Sequence, residues 1–273
     1  MIFKKTTDAL GKELQQIEKQ EQKLKNAALK AKPSGWKVQM ESKIPEKVYE
    51  GLESAFCKGF SVVFSKGRPI IEKSYKKEKM IIDYAIRDYA VLQKRGKREL
   101  KQMRKCASHT TTLNMAITTV EGVGFGALGI GMPDIVLFLS TLLKGVYETA
   151  LNYGFEYESP KEQIFILKMM EASLCSGMDW WRLNEQVDGM MNTSDLSGDR
   201  GGINEDDLEK QIKETASAFA VDMLLLKFIQ GLPVVGVIGG AANPVYYNKV
   251  MKYVQLKYRK RYLLKKITVY RHL

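Results

Sequence analysis

The chain has 273 residues, 45% of them hydrophobic, enough to fill the core of one large domain or two small ones. Cys57, Cys106 and Cys175 lie far apart, with no CxxC pair and no histidine at zinc spacing, which excludes a disulfide scaffold and fits a reducing compartment. The opening residues MIFKKTTDALGKELQQ are charged and lack the apolar run of a signal peptide.

The net charge of +12 is unevenly spread. Residues 1–110 hold 26 cations against 13 acids, residues 111–248 hold 8 against 18, and residues 249–273 hold 9 against none. An acidic, apolar middle between two basic ends points to a polyanionic partner, either a membrane surface or nucleic acid.

In chain order, residues 7–31 read as a polar amphipathic helix. Leu10, Leu14, Ile17, Leu24 and Ala28 follow four-three spacing, interrupted by Glu21. A helix with so few apolar turns is expected to fray on the surface as a dispensable arm, residues 1–34, before a body spanning 35–273, the alternative being a short coiled-coil or docking arm. Lys32-Pro33-Ser34-Gly35 marks the boundary. Pro45 opens the next helix, with Val48, Leu52, Ala55, Phe56 and Phe60 on one side, and Gly67-Arg68-Pro69 is expected to end it. A second helix from about Glu72 carries Tyr75, Met80, Ile82, Tyr84, Ala85, Tyr89 and Leu92. Its tail, KRGKRELKQMRK (94–105), is either a solvated face or a contact for acidic lipid head groups or phosphates.

The stretch Glu121–Gly154 organises the chain. A glycine ladder (Gly122, Gly124, Gly126, Gly129, Gly131) leads into a long apolar helix. Pro133 suits its first helical position and Asp134 the positive end of its dipole. Ile135, Phe138, Leu139, Leu142, Val146, Ala150 and Tyr153 recur at helical spacing, and Gly154 stands where a left-handed C-cap is wanted.

Ser159-Pro160 starts a further helix through Ile164, Leu167, Met170 and Leu174, and the pair Trp180-Trp181 reads as core. Residues 190–203 are a polar, Gly-rich loop. Asn204 caps a helix through Ile212, Ala216, Phe219 and Met223. The second Gly-rich stretch, Gly231–Pro244, reads as a buried or half-inserted helical hairpin. Gly236 with Gly240, like Gly122 with Gly126, forms a GxxxG pair that lets helix backbones approach closely. In the last helix Tyr247, Val250, Met251, Val254, Tyr258 and Tyr262 share a face. The cations Lys249, Lys252, Arg259, Lys260 and Arg261 are its candidate contacts with a membrane or polyanion, or else lysines left in water on a helix packed to the core.

Catalytic motifs are sparse. Gly124-x-Gly126-x-x-Gly129 matches a dinucleotide fingerprint formally, but no alternating strand–helix pattern surrounds it. Cys106 and His109 are more readily a local contact than a thiolate pair. HExxH, Walker A and GxSxG patterns are missing, and nothing points to a metal or cofactor. Glu121, Asp134 and Glu148 form a candidate acidic cluster, whose alternative is pairing with lysines of the basic first third. Nucleic acid is disfavoured, because aromatic residues do not interleave with the 94–105 cations.

Three blocks resemble the EcsC family: IPEKVYEGLESAFCKGFSVVFSKG (44–67), GMPDIVLFLSTLLKGVYETALNYGFE (131–156) with the ladder before it, and GLPVVGVIGGAANPVYYNKV (231–250). Their order and spacing extend the resemblance over roughly residues 37–265. It implies a bacterial, mostly helical protein, membrane-associated or cytosolic, of a family named for a protein encoded beside an ABC transporter. It implies no reaction and no catalytic residues.

The reading is therefore an all-α single helical domain with two Gly-rich close-packed helical segments and an N-terminal helical arm. Its expected role is a non-enzymatic, cytoplasmic protein on an anionic membrane surface, accessory to a transporter. The alternative is a soluble hydrolase using the acids beside the Gly-rich stretch.

Overall fold

In the computed structural model, which describes residues 3–30, 45–94, 96–108, 132–193, 205–229 and 242–271, the periodic apolar runs become helices, and no strand occurs among the described residues. They are α1 (Phe3–Lys30), α2 (Glu46–Val62), a π-helical turn (Val63–Gly67), α3 (Arg68–Lys73), α4 (Lys77–Lys94) and α5 (97–108). Then come α6 (Met132–Asn152), α7 (Pro160–Leu174), α8 (Gly177–Thr193), α9 (Glu205–Ile229) and α10 (Ala242–Arg271).

Local signals explain most of the boundaries. Ser159 caps α7 by accepting the Glu162 amide at 3.2 Å, with Pro160 following it where an amide hydrogen is dispensable. Gly154, with φ of 76°, turns the chain after α6, and a Cβ there would overlap the Tyr84 ring. Gly67-Arg68-Pro69 does not end the second helical run as expected. The widened π turn absorbs the missing proline amide, and the chain resumes as α3. The break falls at residues 74–76 instead, where the Ser74 hydroxyl donates to the Ile71 carbonyl at 2.6 Å.

α6 supplies the centre of the core, packing against α2, α3, α4 and α10. Its Ile135, Leu139, Leu142, Leu143, Val146 and Ala150 have no exposed surface. α7 meets α8, α9 and α10, and α9 closes the body by packing on α2. Phe219 of α9 joins Phe56 and Phe60 of α2 and Phe138 of α6, with ring centroids 5.2, 5.9 and 6.0 Å away. By length and composition the segment Ile135–Asn152 could cross a bilayer, but 72% of it is buried among neighbouring helices. Trp180 is buried, as expected, and Lys25 of α1 lies 4.0 Å over the Trp181 ring.

The N-terminal helix departs from expectation. It is not a frayed surface segment: α1 lies on α8 and α10, with Leu10 and Ile17 buried in the common core. The physical reason lies in two of its acids, Glu13 and Glu21, which pair with cations of α10 as described below.

Gly145 of α6 marks a close approach to α10. A Cβ there would collide with the Tyr247 hydroxyl and lie 3.2 Å from the Met251 sulfur. Glu121 and the glycines expected to serve this purpose, Gly122, Gly126, Gly236 and Gly240, lie outside the described residues.

Candidate functional site

The last helix gathers carboxylates from its neighbours. Lys249 donates to both oxygens of Asp222 (α9) at 3.0 and 2.9 Å and to the Leu174 carbonyl at 3.2 Å. Lys257 and Lys260 each bridge Glu21 (α1) and Asp188 (α8), at 2.5 and 2.8 Å in both cases. Arg259 reaches Glu13 (α1) at 2.5 Å, which also takes Arg104 of α5 at 3.1 Å. Arg261 holds both oxygens of Glu162 (α7) at 2.8 and 2.7 Å, with its guanidinium 4.2 Å from the Phe155 ring centre. Lys266 pairs with Asp88 of α4 at 2.7 Å. Burial works against the Lys260 charge, but the hydrogen bonds and charges of Asp188 and Glu21 outweigh it and raise its pKa.

This placement bears directly on the expected membrane contact. Of Lys249, Lys252, Arg259, Lys260 and Arg261, only Lys252 is exposed, and the other four are turned onto internal carboxylates. Lys249, Lys257, Arg259, Lys260, Arg261 and Lys266 are thus paired with carboxylates of the acidic middle, α1 and α4, while Lys252 and Lys265 stay exposed. Of the candidate acids, Glu121 lies outside the described residues. Asp134 falls in the first turn of α6 and Glu148 lies buried fourteen residues further, roughly 21 Å along the axis at 1.5 Å per residue. Among the described residues, no group of three or more His, Cys, Asp or Glu side chains is placed to hold a metal.

Two clefts open on α4. The smaller, about 290 Å³, is lined by Lys77, Tyr84, Phe155, Tyr157 and Glu158 among others. Its polar groups satisfy one another. Tyr75 and Tyr157 share a hydrogen bond at 2.6 Å, Tyr157 donates to Glu72 at 2.9 Å, and Lys77 pairs with Glu158. Burial, then Tyr75 and Glu72, push the Tyr157 phenol far up, and the Lys77 hydrogen bond holds the Glu158 carboxyl below its usual range.

The larger cleft, about 780 Å³, lies between α4 and α5 and has a different character. Arg98, Lys101 and Lys105 of α5, all exposed, line it with Arg87 and Asp83 of α4. Asn152, at the end of α6, is buried at one side of it. The Asn152 amide group donates to the Glu148 carbonyl at 2.9 Å, which leaves its oxygen to accept from Arg87 at 2.9 Å. The Arg87 Nε is shielded from solvent and has no hydrogen-bond partner among the described residues.

The cluster 94–105 divides accordingly: Arg104 turns inward to Glu13, while Arg98, Lys101 and Lys105 face the cleft. α4 itself is tied to α10 on one side, through Asp88 to Tyr262 and Lys266. Its other side carries Ile82, Ile86 and Tyr89 at 59%, 62% and 63% exposure, one ridge at i, i+4, i+7 spacing. Ile82 and Tyr89 are among the apolar positions read from the sequence of this helix and Ile86 is not, and spacing alone does not say which of them face outward.

The EcsC protein family model matches residues 9–263. The match begins inside α1, so it takes in most of the segment set apart as an arm. Neither a curated protein nor a solved structure matches the chain.

Proposed function

The chain belongs to the EcsC protein family, and we propose that it works without catalysis, as a cytoplasmic protein docking peripherally on an anionic membrane surface through its α4–α5 limb. The observation that carries this reading is the outward face of that limb. On its exposed surface lie the apolar ridge Ile82, Ile86 and Tyr89 of α4 and, around the two helices, Lys79, Lys94, Lys97, Arg98, Lys101 and Lys105. Glu78 is the one acid classed as exposed among the described residues of these two helices.

Such a face suits the boundary between head groups and acyl chains. Burying an isoleucine side chain there contributes about 1.5–3 kcal/mol, and each cation near an anionic leaflet about 1 kcal/mol. Tyr89 offers an aromatic ring with a polar tip, suited to the head-group level. The family resemblance implies a membrane-associated or cytosolic protein, and a leaflet is the surface that these exposed groups suit.

Co-sedimentation with vesicles tests the reading. The wild type is expected to pellet with phosphatidylglycerol vesicles and not with phosphatidylcholine vesicles. Ile82→Gln with Ile86→Gln should weaken pelleting while leaving the helical circular dichroism unchanged. Wild-type protein that stays in the supernatant with anionic vesicles at low salt would sink the proposal.

A further inference from the structure

We infer that the cleft between α4 and α5 is a binding site for a phosphomonoester or pyrophosphate group, carried by a lipid head group or by a small soluble phosphorylated polyol. Among the described residues that line it, four cationic side chains, Arg87, Arg98, Lys101 and Lys105, stand against one carboxylate, Asp83. None of the four has a carboxylate partner among the described residues, whereas the neighbouring Arg104 does. An excess of three positive charges suits a group carrying close to two negative charges at neutral pH better than a singly charged diester.

Arg87 gives the cleft a built anchor. Its guanidinium is held by Asn152, whose amide is in turn fixed by the Glu148 carbonyl on α6, the most deeply packed helix. The unpartnered, shielded Nε is a charged donor of the kind whose missing partner is costly, and a phosphate oxygen would satisfy it. At about 780 Å³ the space suits a small ligand rather than a bare ion. No aromatic ring is among the described lining residues, so they offer a nucleobase nothing to stack on, while Asp83 and Gln102 could take hydroxyl groups.

The lipid form of this ligand rests on the membrane reading above, and the soluble form does not. Calorimetric titration of the full chain with inorganic pyrophosphate, at matched ionic strength and without vesicles, is therefore the first arm. Saturable binding is expected, weakened roughly tenfold or more by Arg87→Gln and by Lys101→Gln with Lys105→Gln, but not by Lys58→Gln on α2. Lys101 and Lys105 are exposed, so their variant reports on the cleft even if Arg87→Gln fails to fold. The second arm compares vesicles containing phosphatidic acid, a monoester, with vesicles containing phosphatidylglycerol, a diester. A preference for phosphatidic acid that the cleft variants abolish identifies the head group as the source, and pyrophosphate binding without that preference identifies a soluble ligand. The inference falls if neither arm shows binding that depends on the cleft residues, or if Lys58→Gln weakens binding as much as they do. Vesicle binding that survives the cleft variants would then leave the docking face standing without the cleft.

Discussion

Lys257 of α10, a lysine with no solvent exposure, donates to Glu21 of α1 at 2.5 Å across 236 residues of chain. The ammonium is tolerable there because Asp188 is also within 2.8 Å and Lys260 closes the ring between the same two carboxylates. Breaking a buried pair leaves a charge without its partner, at a cost of about 3–5 kcal/mol. Glu21→Leu leaves Lys257 and Lys260 to share Asp188 alone and is expected to lower stability in urea by up to that amount, while Lys252→Gln on the exposed side stays within about 0.5 kcal/mol. Equal effects of the two would contradict the placement of this ring.

α1 as a whole should behave as part of the body. Deleting residues 1–30 removes Glu21, one of the two carboxylates held by Lys257 and Lys260, together with the Arg259 partner Glu13, and uncovers the core surface under Leu10 and Ile17. The shortened chain is expected to be insoluble or to melt well below the intact protein. A truncated protein with unchanged melting would restore the idea of a dispensable arm.

How legible this was depends on the range of the interaction. The apolar face of α10, from Tyr247 through Val254 to Tyr262, was read correctly from spacing, and all three are buried. The same helix's cations were not, because a lysine in water and a lysine bound to a distant carboxylate look alike in sequence. Glu21 shows this most plainly. It interrupts an apolar pattern, which argues for a weak helix by local rules, yet it is the residue that fastens that helix in place. The limb between α4 and α5 posed the opposite problem: Ile82, Ile86 and Tyr89 have core-like spacing but face outward. The partition of Arg104 from Lys101 and Lys105 depends on where α1 lies, which no local pattern encodes.

Gly145 should tolerate little. Its missing side chain admits the Tyr247 ring, whose Cζ would lie 3.1 Å from an added Cβ. Gly145→Leu is expected to overpack the contact between α6 and α10 and to cost about 1–3 kcal/mol or more. A melting temperature unchanged from wild type would mean that the two helices can part without loss.

At high pH the tyrosines should govern stability. Burial, the largest cause in each case, pushes the phenols of Tyr75, Tyr84, Tyr147, Tyr153, Tyr246, Tyr253 and Tyr258 well above their ordinary value near 10. The unfolded chain releases those protons near pH 10 while the folded chain keeps them, so their contribution is whole below about pH 10 and declines as pH rises above it. The raised pKa of Lys260 acts with the same sign, with its contribution whole below the ordinary lysine pKa near 10.4 and lost above it. Tyrosinate absorbance and loss of helical circular dichroism are therefore expected to rise together in one alkaline transition. Tyrosinate forming while the helices persist would show that these hydroxyls reach water in the folded state.

The charge of the limb can be tested apart from its cleft, because Lys79, Lys94 and Lys97 are exposed and do not line it. Replacing all three by Gln should cost about 3 kcal/mol of attraction to an anionic leaflet, or on the order of a 100-fold weaker partition. The dependence on salt should shrink with them, since screening acts on the same charges. Lys252→Gln, on the exposed side of α10, removes one charge outside the limb and is expected to leave vesicle binding unchanged. The combined change of Lys252, Arg259, Lys260 and Arg261 to Gln is not an equivalent control, because three of the four hold internal carboxylates and their loss should unfold the protein. Vesicle co-sedimentation across a salt series, with circular dichroism confirming that each variant is folded, separates the two helices. If the limb variant binds anionic vesicles as tightly as wild type, the α4–α5 face is not what meets the membrane.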